Sequence, residues 1–273
     1  MDKTRIFTGL ALSVIAVCVI LYLSTIWFAL VGLALVLFGS SEWAALAGLR
    51  GILVQGGYAA VTVALAGLAW WSVEAGWEWL PVTIGVVWWI GAAASLATWR
   101  TRWSGSTTNL RLQVAGLFAL VPAWISVVLI HRYDPWLMLF LVVLGASGDS
   151  AAYFTGKRFG RRRLAPHLSP GKTWEGLMGE LAMGLVIALI GALVFAADNP
   201  VAWILFVALT MVTIIASVFG DLFESMLKRI AGSKDSGDLL PGHGGILDRI
   251  DSHLAAAPVF MLGLMFLHGG YIT

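Results

Sequence analysis

The sequence predicts an all-α, polytopic membrane protein of about nine spans with a cytoplasmic N-terminus, and three observations carry that prediction. Hydrophobic residues make up 59% of the chain and charged residues only 12%. Apolar runs long enough to cross a bilayer recur from one end to the other. Lys and Arg collect in alternate connecting segments. A soluble domain carries about 25% charged residues, so half that share leaves too little polar surface to face water on all sides. Nine spans of ~20 residues use roughly 180 residues, and the rest of the 273 is loop. The whole of 1–273 therefore reads as one integral membrane domain, with N-terminal transmembrane helices in 1–130 and further transmembrane helices with the longer loops in 131–273.

The runs fall at 6–23, 26–41, 58–73, 79–99, 112–130, 136–153, 176–197, 201–219 and 253–268. The first follows Lys3 and Arg5 like a signal peptide, but further spans come at once, so it reads as a retained helix. Cys18 lies inside it, with no second cysteine for a disulfide or a thiolate metal site. With the N-terminus inside, 16 of the 17 Lys and Arg residues fall in inner segments and only Arg132 falls outside. Trp77, Trp79 and Trp136 near outer ends, and Trp99 and Trp103 near an inner end, fit an aromatic belt. Two inner segments, 154–175 and 220–252, are the long polar stretches.

Chemistry concentrates there. Asp149 sits near the inner end of span six, Asp221 and Glu224 follow span eight, and Asp248 and Asp251 precede span nine. Three acidic sites distant in sequence thus arrive at one membrane face, interleaved with Lys and Arg. A surface that only held anionic headgroups gains nothing from carboxylates. A metal-phosphate site requires both, carboxylates for Mg²⁺ and cations for the phosphate oxygens. Asp221, Glu224, Ser225 and Lys228 share a helical face by their spacing, as an ordinary amphipathic interfacial helix also does. The glycines of PGHGG, 241–245, permit close backbone approach to a phosphate or a plain turn, and His243 between them reads equally as phosphate donor or structural hydrogen bonder. SPGKTWEG, 169–176, is not a P-loop, because Pro166 stands where the motif needs glycine. Lys172 remains available to a phosphate, and Ser169 or Thr173 to cap span seven. The basic run KRFGRRR, 157–163, reads first as a topology and headgroup determinant.

From Ser225 the chain runs SMLKRIAGSKDSGDLLPGHGGILDRID. This resembles the signature of the phosphatidate cytidylyltransferase (CDP-diacylglycerol synthase) family, with Ser225, Lys228, Arg229, Lys234, Asp235, Gly237, Pro241, His243, Gly244, Gly245, Asp248, Arg249 and Asp251 at its fixed positions. GDSAAYFTGKRFG with SPGKTWEG is similar to a second block of the family, departing from it at Ser150 and Ala151, where Thr-Gly is usual. The resemblance covers roughly the C-terminal half. It implies a homodimer in a bacterial inner membrane, a polar cavity facing the cytoplasm, and a two-cation centre of Mg²⁺ with a monovalent ion such as K⁺. It also implies CTP and phosphatidic acid as substrates within the lipid bilayer, and no nucleic acid. On this reading Asp221, Asp248 and Asp149 hold metal and, with Lys172, are catalytic. Arg229, Lys234 and His243 contact phosphate, and Lys228, Ser225 and Asp235 complete the substrate-binding set. Lys172 and Arg229 should point into the cavity where the three acids converge.

Two other readings remain open at this level. An anionic-solute transporter would place its charge near the midplane in paired repeats, whereas no repeat is visible here. A CTP-dependent polyprenol kinase shares the nucleotide and differs in the lipid acceptor. Orientation is testable by a reporter fused after Thr273, which should read as periplasmic in a bacterium. A cytoplasmic reading there would make the span count even and remove one helix from the list.

Overall fold

The computed structural model describes residues 3–98, 109–196, 199–237 and 244–268. They form nine helices: α1 (Lys3–Tyr22), α2 (Thr25–Leu46), α3 (Ile52–Glu74), α4 (Trp79–Thr98), α5 (Leu110–Tyr133), α6 (Pro135–Phe159), α7 (Trp174–Phe195), α8 (Pro200–Ile230) and α9 (Leu247–His268). Between α6 and α7 lies a hairpin of β1 (Arg163–Ala165) and β2 (Ser169–Thr173). Each apolar run of the sequence corresponds to one helix. Eight, α2 to α9, are long and apolar enough to cross a membrane, and α1 contributes the apolar stretch Ser13–Tyr22. Short polar residues set the starts. Asn109, Asp134 and Asn199 accept backbone N–H bonds at the first turns of α5, α6 and α8, the last two followed by proline, which suits the first helical position.

The helices alternate in direction, as bonds at both ends record. At one end Trp43 Nε1 donates to the Leu112 carbonyl and Tyr58 Oη to that of Gln113, both at 2.7 Å. At the other, Arg132 pairs with Glu74 at 3.0 Å and His131 Nε2 meets the Ile20 carbonyl at 2.9 Å. Polar side chains surrounded by lipid or apolar core need such partners, since no water is there to replace them. α5 and α9 are the central helices. In α5 72% of the spanning stretch is buried, against 22% in α3, and Leu120, Ile125, Phe260 and Met261 are inaccessible.

Several helices run further than the apolar runs predict, and two of these extensions bear on the site. Span six was expected to stop at 153 and span eight at 219, yet α6 reaches Phe159 and α8 reaches Ile230. A hydrophobicity criterion stops at the first charges, whereas a helix stops only where its backbone does. The turn after α8 comes at Gly232, with φ of 71°, where Ser233 N–H closes onto the Lys228 carbonyl at 2.9 Å. With a rise of about 1.5 Å per residue, Asp149 and Asp221 lie two to three turns inside their helices rather than at the ends. They line the wall of a recess.

Candidate active site

The hairpin is short, Pro- and Gly-bearing, and without the alternation that announces a strand. Its register pairs Arg163 with Thr173 and Ala165 with Ser169, and the Trp174 N–H closes it by donating to the Arg162 carbonyl at 3.0 Å. Glu175 accepts from the N–H groups of Arg161 and Arg162 at 3.0 and 3.3 Å, fixing the chain where it leaves α6. Thr173 caps α7, its Oγ1 accepting from Gly176 N–H at 3.1 Å. The expectation that Ser169 or Thr173 caps span seven thus resolves to Thr173. Close approach of α6 to α7 depends on Gly176: a Cβ there would stand 2.9 Å from the Ala152 carbonyl oxygen. Together these contacts deliver Lys172, the next-to-last residue of β2, into the space between α6, α7 and α8.

That space is a cavity of about 730 Å³, within the range of ligand sites. Five carboxylates line it, those of Asp149, Glu180, Asp221, Asp248 and Asp251, together with three cations, Lys157, Arg163 and Lys172. Lys172 Nζ sits 2.5 Å from Asp221 Oδ2, each side chain a quarter exposed. Burial alone would push the Lys172 ammonium down. The charge and hydrogen bond of Asp221, with Glu180 and Asp251 behind, outweigh it and hold Lys172 above the usual lysine value. Lys172 is therefore a fixed positive charge and not a proton acceptor.

Asp248 is engaged differently. Its Oδ1 accepts from Lys228 Nζ at 2.7 Å, and its Oδ2 from the N–H groups of Gly245 and Ser236 at 2.9 and 3.1 Å. Lys228 also pairs with the fully buried Glu224 at 2.5 Å. Among the described residues no three His, Cys, Asp or Glu side chains are grouped to cage an ion. The reason is visible in these pairs, for Asp221 turns to Lys172 and Asp248 to Lys228 and the loop before α9.

Asp149, Asp221, Asp248 and Lys172 thus line one cavity, as the sequence led us to expect. Arg229 does not, which corrects the expectation that it points inward. Its guanidinium donates to the Leu168 carbonyl at 3.1 Å and the Ser233 carbonyl at 3.4 Å, tying the end of α8 to the hairpin. Lys234 and Asp235 are exposed and lie off the lining. Ser225 is buried and donates to Asp221 Oδ1 at 3.4 Å, and Lys228 reaches the cavity only through Asp248. His243 lies outside the described residues. Glu180 and Asp251 are cavity residues that the sequence reading left without a role. Glu180 could have been flagged as an acid inside an apolar run, whereas Asp251 was already among the acids grouped before span nine and at a fixed position of the signature. Of the run 157–163, Lys157 and Arg163 line the cavity, so topology is not their whole task.

The fold and site define a multi-pass helical membrane protein with an acid- and base-lined cavity at one end of its bundle. The chain belongs to the cytidylyltransferase family, whose model matches residues 3–267. It is similar to proteins named phosphatidate cytidylyltransferase from three bacteria. That of Pseudomonas aeruginosa is 41% identical over 199 residues, 65% of this chain and 66% of the relative. That of Haemophilus influenzae is 45% identical over 145 residues, half of each chain, and that of Bacillus subtilis 44% over 137 residues, again half of each. The matched stretches span about half to two thirds of these relatives' lengths.

The two ion pairs should respond differently to loss of charge. Asp221→Asn removes the partner of Lys172 where both side chains stay a quarter exposed, so water takes up part of the lost pairing. Asp248→Asn strips the charge from a group whose side chain is only 12% exposed, and breaking a buried pair costs on the order of 3 kcal/mol. Thermal unfolding in detergent should show a clearly larger fall for Asp248→Asn. Equal, small shifts would mean that Asp248 does not hold the loop as described.

Proposed function

We propose that the protein transfers a cytidylyl group from CTP to phosphatidic acid, giving CDP-diacylglycerol and pyrophosphate. The observation that carries this reading is the Lys172–Asp221 pair in a cavity of mixed charge, in a family member 41–45% identical over the matched stretches to proteins named for that activity. Transport of an anionic solute and polyprenol phosphorylation have no comparable support.

A phosphate oxygen of phosphatidic acid attacks the α-phosphorus of CTP. The new P–O bond forms as the bond from the α-phosphorus to its bridging oxygen breaks, and the electron pair leaves with pyrophosphate. The nucleophile is already anionic near neutral pH, so no residue has to take a proton. The barrier is repulsion between anions and the charge growing on the leaving group, and positioned cations lower both. Lys172 is the fixed cation for the leaving pyrophosphate. Lys157 and Arg163 meet the remaining phosphate charge.

Mg²⁺ fits the donor set, which is all oxygen and carboxylate-rich. Mg²⁺ commonly takes one or two carboxylates and fills its shell with phosphate oxygens and water, so a protein cage of three acids is not required. Asp221 and Asp149 are its proposed ligands, with Asp248 as a further candidate and K⁺ as the proposed second ion. When bound, Mg²⁺ supplies charge neutralisation at the phosphate oxygens. The proposal includes a homodimer in a bacterial inner membrane, with the cavity facing the cytoplasm. At headgroup level there, CTP enters from water and phosphatidic acid from the leaflet, and neither charged group crosses hydrocarbon.

Purified protein in detergent, given labelled CTP, phosphatidic acid and Mg²⁺, should release CDP-lipid and pyrophosphate in equal amounts. Asp221→Asn should remove nearly all of that turnover with the protein still folded. Product from a polyprenol and none from phosphatidic acid would overturn the assignment, as would wild-type rates in Asp221→Asn at saturating Mg²⁺.

A further inference from the structure

Glu42 is an acid near the end of α2, in the half of the chain whose sequence reads only as generic spans, and it is buried. An anion there needs donors, and the structure supplies three from far along the chain. Glu42 Oε1 accepts from Ile246 N–H at 2.9 Å, and Oε2 from Leu247 N–H and Ser236 Oγ, both at 2.9 Å. Ile246 and Leu247 are the entry to α9, where backbone N–H groups have no partner inside the helix and a negative charge is favoured. A cap of this kind ordinarily comes from the residue just before the helix. Here it comes from α2, about two hundred residues away in sequence.

Ser236 joins this cap to the cavity. Its hydroxyl lies 2.9 Å from Glu42 Oε2 and 3.1 Å from Asp248 Oδ2, and its N–H donates to Asp248. A hydroxyl has one proton, so it can serve one carboxylate at a time. With the shorter contact going to Glu42, the Ser236 N–H serves Asp248. Two glycines of the same segment are shaped around the carboxylate. A Cβ on Gly237 would stand 2.8 Å from Glu42 Oε1, and one on Gly245 would collide with Glu42 Oε2 and Ser236 Oγ. Ser236 and Gly237, together with Gly245 to Leu247, therefore close over the side chain of Glu42. Asp248 and Asp251 follow directly, on the first turns of α9, and both line the cavity.

We infer that Glu42 is a positioning residue for the proposed transfer: by capping α9 and holding Ser236, it sets where Asp248 and Asp251 stand in the cavity. The inference rests on the proposed cytidylyl transfer for its kinetic part only. Glu42→Gln keeps the shape but turns one acceptor oxygen into a donor that faces the N–H or O–H groups already pointing at it. Glu42→Asp keeps the charge on a shorter arm, and Ser236→Ala removes the hydroxyl held by Glu42 while keeping the backbone N–H bond to Asp248 and the two backbone bonds of the cap.

The test measures kcat and KM for wild type, Glu42→Gln, Glu42→Asp, Ser236→Ala and the double variant Glu42→Gln/Ser236→Ala, each normalised to folded protein. Hydrogen exchange at Gly245, Ile246 and Leu247 is followed on the same samples. Glu42→Gln should lower kcat about tenfold or more, equivalent to about 1.4 kcal/mol, with Glu42→Asp between it and wild type. The double variant should be no slower than the worse single one, because both cut one chain of contacts. Exchange at the three amides should quicken about tenfold in Glu42→Gln, against 1.4 kcal/mol per factor of ten, while α5 stays protected. A lower melting temperature with unchanged kcat per folded molecule, or faster exchange with unchanged kcat, would make Glu42 merely structural and overturn the inference. If wild type makes no CDP-lipid, the proposed function fails by itself. The exchange data then decide the cap alone, and unchanged exchange in Glu42→Gln sinks it.

Discussion

Carboxylates drawn into a helix bundle cannot stay charged without a partner, and this constraint organises one whole end of the molecule. Moving an ion away from water costs several kcal/mol even after the protein relaxes. Four acids in and beside the recess are accordingly met by a cation or by N–H groups that a particular turn of chain provides. Lys172 meets Asp221, and Lys228 meets Glu224 and Asp248 together. The start of α9 meets Glu42. The hairpin, the long end of α8 and the turn before α9 exist in these shapes because they carry those partners.

The pairing is incomplete in a way that bears on function. Five acidic groups face three bases around the cavity, so with every group ionised the wall carries more negative charge than positive. A bare triphosphate would be repelled by it, and a divalent cation attracted. Under the proposed function the two effects combine, with the excess carboxylates recruiting the metal and the metal admitting the nucleotide. Lys172, held charged by its neighbours, can then act on the leaving group without changing its own protonation. Arg229 serves the same end indirectly, since its bond to Leu168 keeps the hairpin, and with it Lys172, against α8.

The helices were legible because membrane spans announce themselves by composition over some twenty residues, and all nine runs became helices. Their polar extensions were not, because Phe154 to Phe159 and Gly220 to Ile230 continue a backbone pattern that hydrophobicity does not report. Asp149, Asp221, Asp248 and Lys172 were legible through motif and position. Glu180 and Glu42 were hidden for opposite reasons. Glu180 sits within an apolar run, where one acid looks like noise, and Glu42 ends a span with no motif around it. Its role depends on a partner about two hundred residues away. Arg229 and Lys234 looked like phosphate ligands because they are cations within the signature, but charge does not give direction. One is turned to backbone carbonyls and the other to the outside.

Equilibrium binding of labelled CTP, with and without Mg²⁺, to wild type and Asp221→Asn tests the central claim most directly. That claim is that the excess of carboxylates makes nucleotide binding depend on a divalent cation held at Asp221. Wild type should retain CTP only when Mg²⁺ is present, and Asp221→Asn should lose that dependence. CTP held equally well without Mg²⁺, or a Mg²⁺ requirement that survives Asp221→Asn intact, would contradict the account.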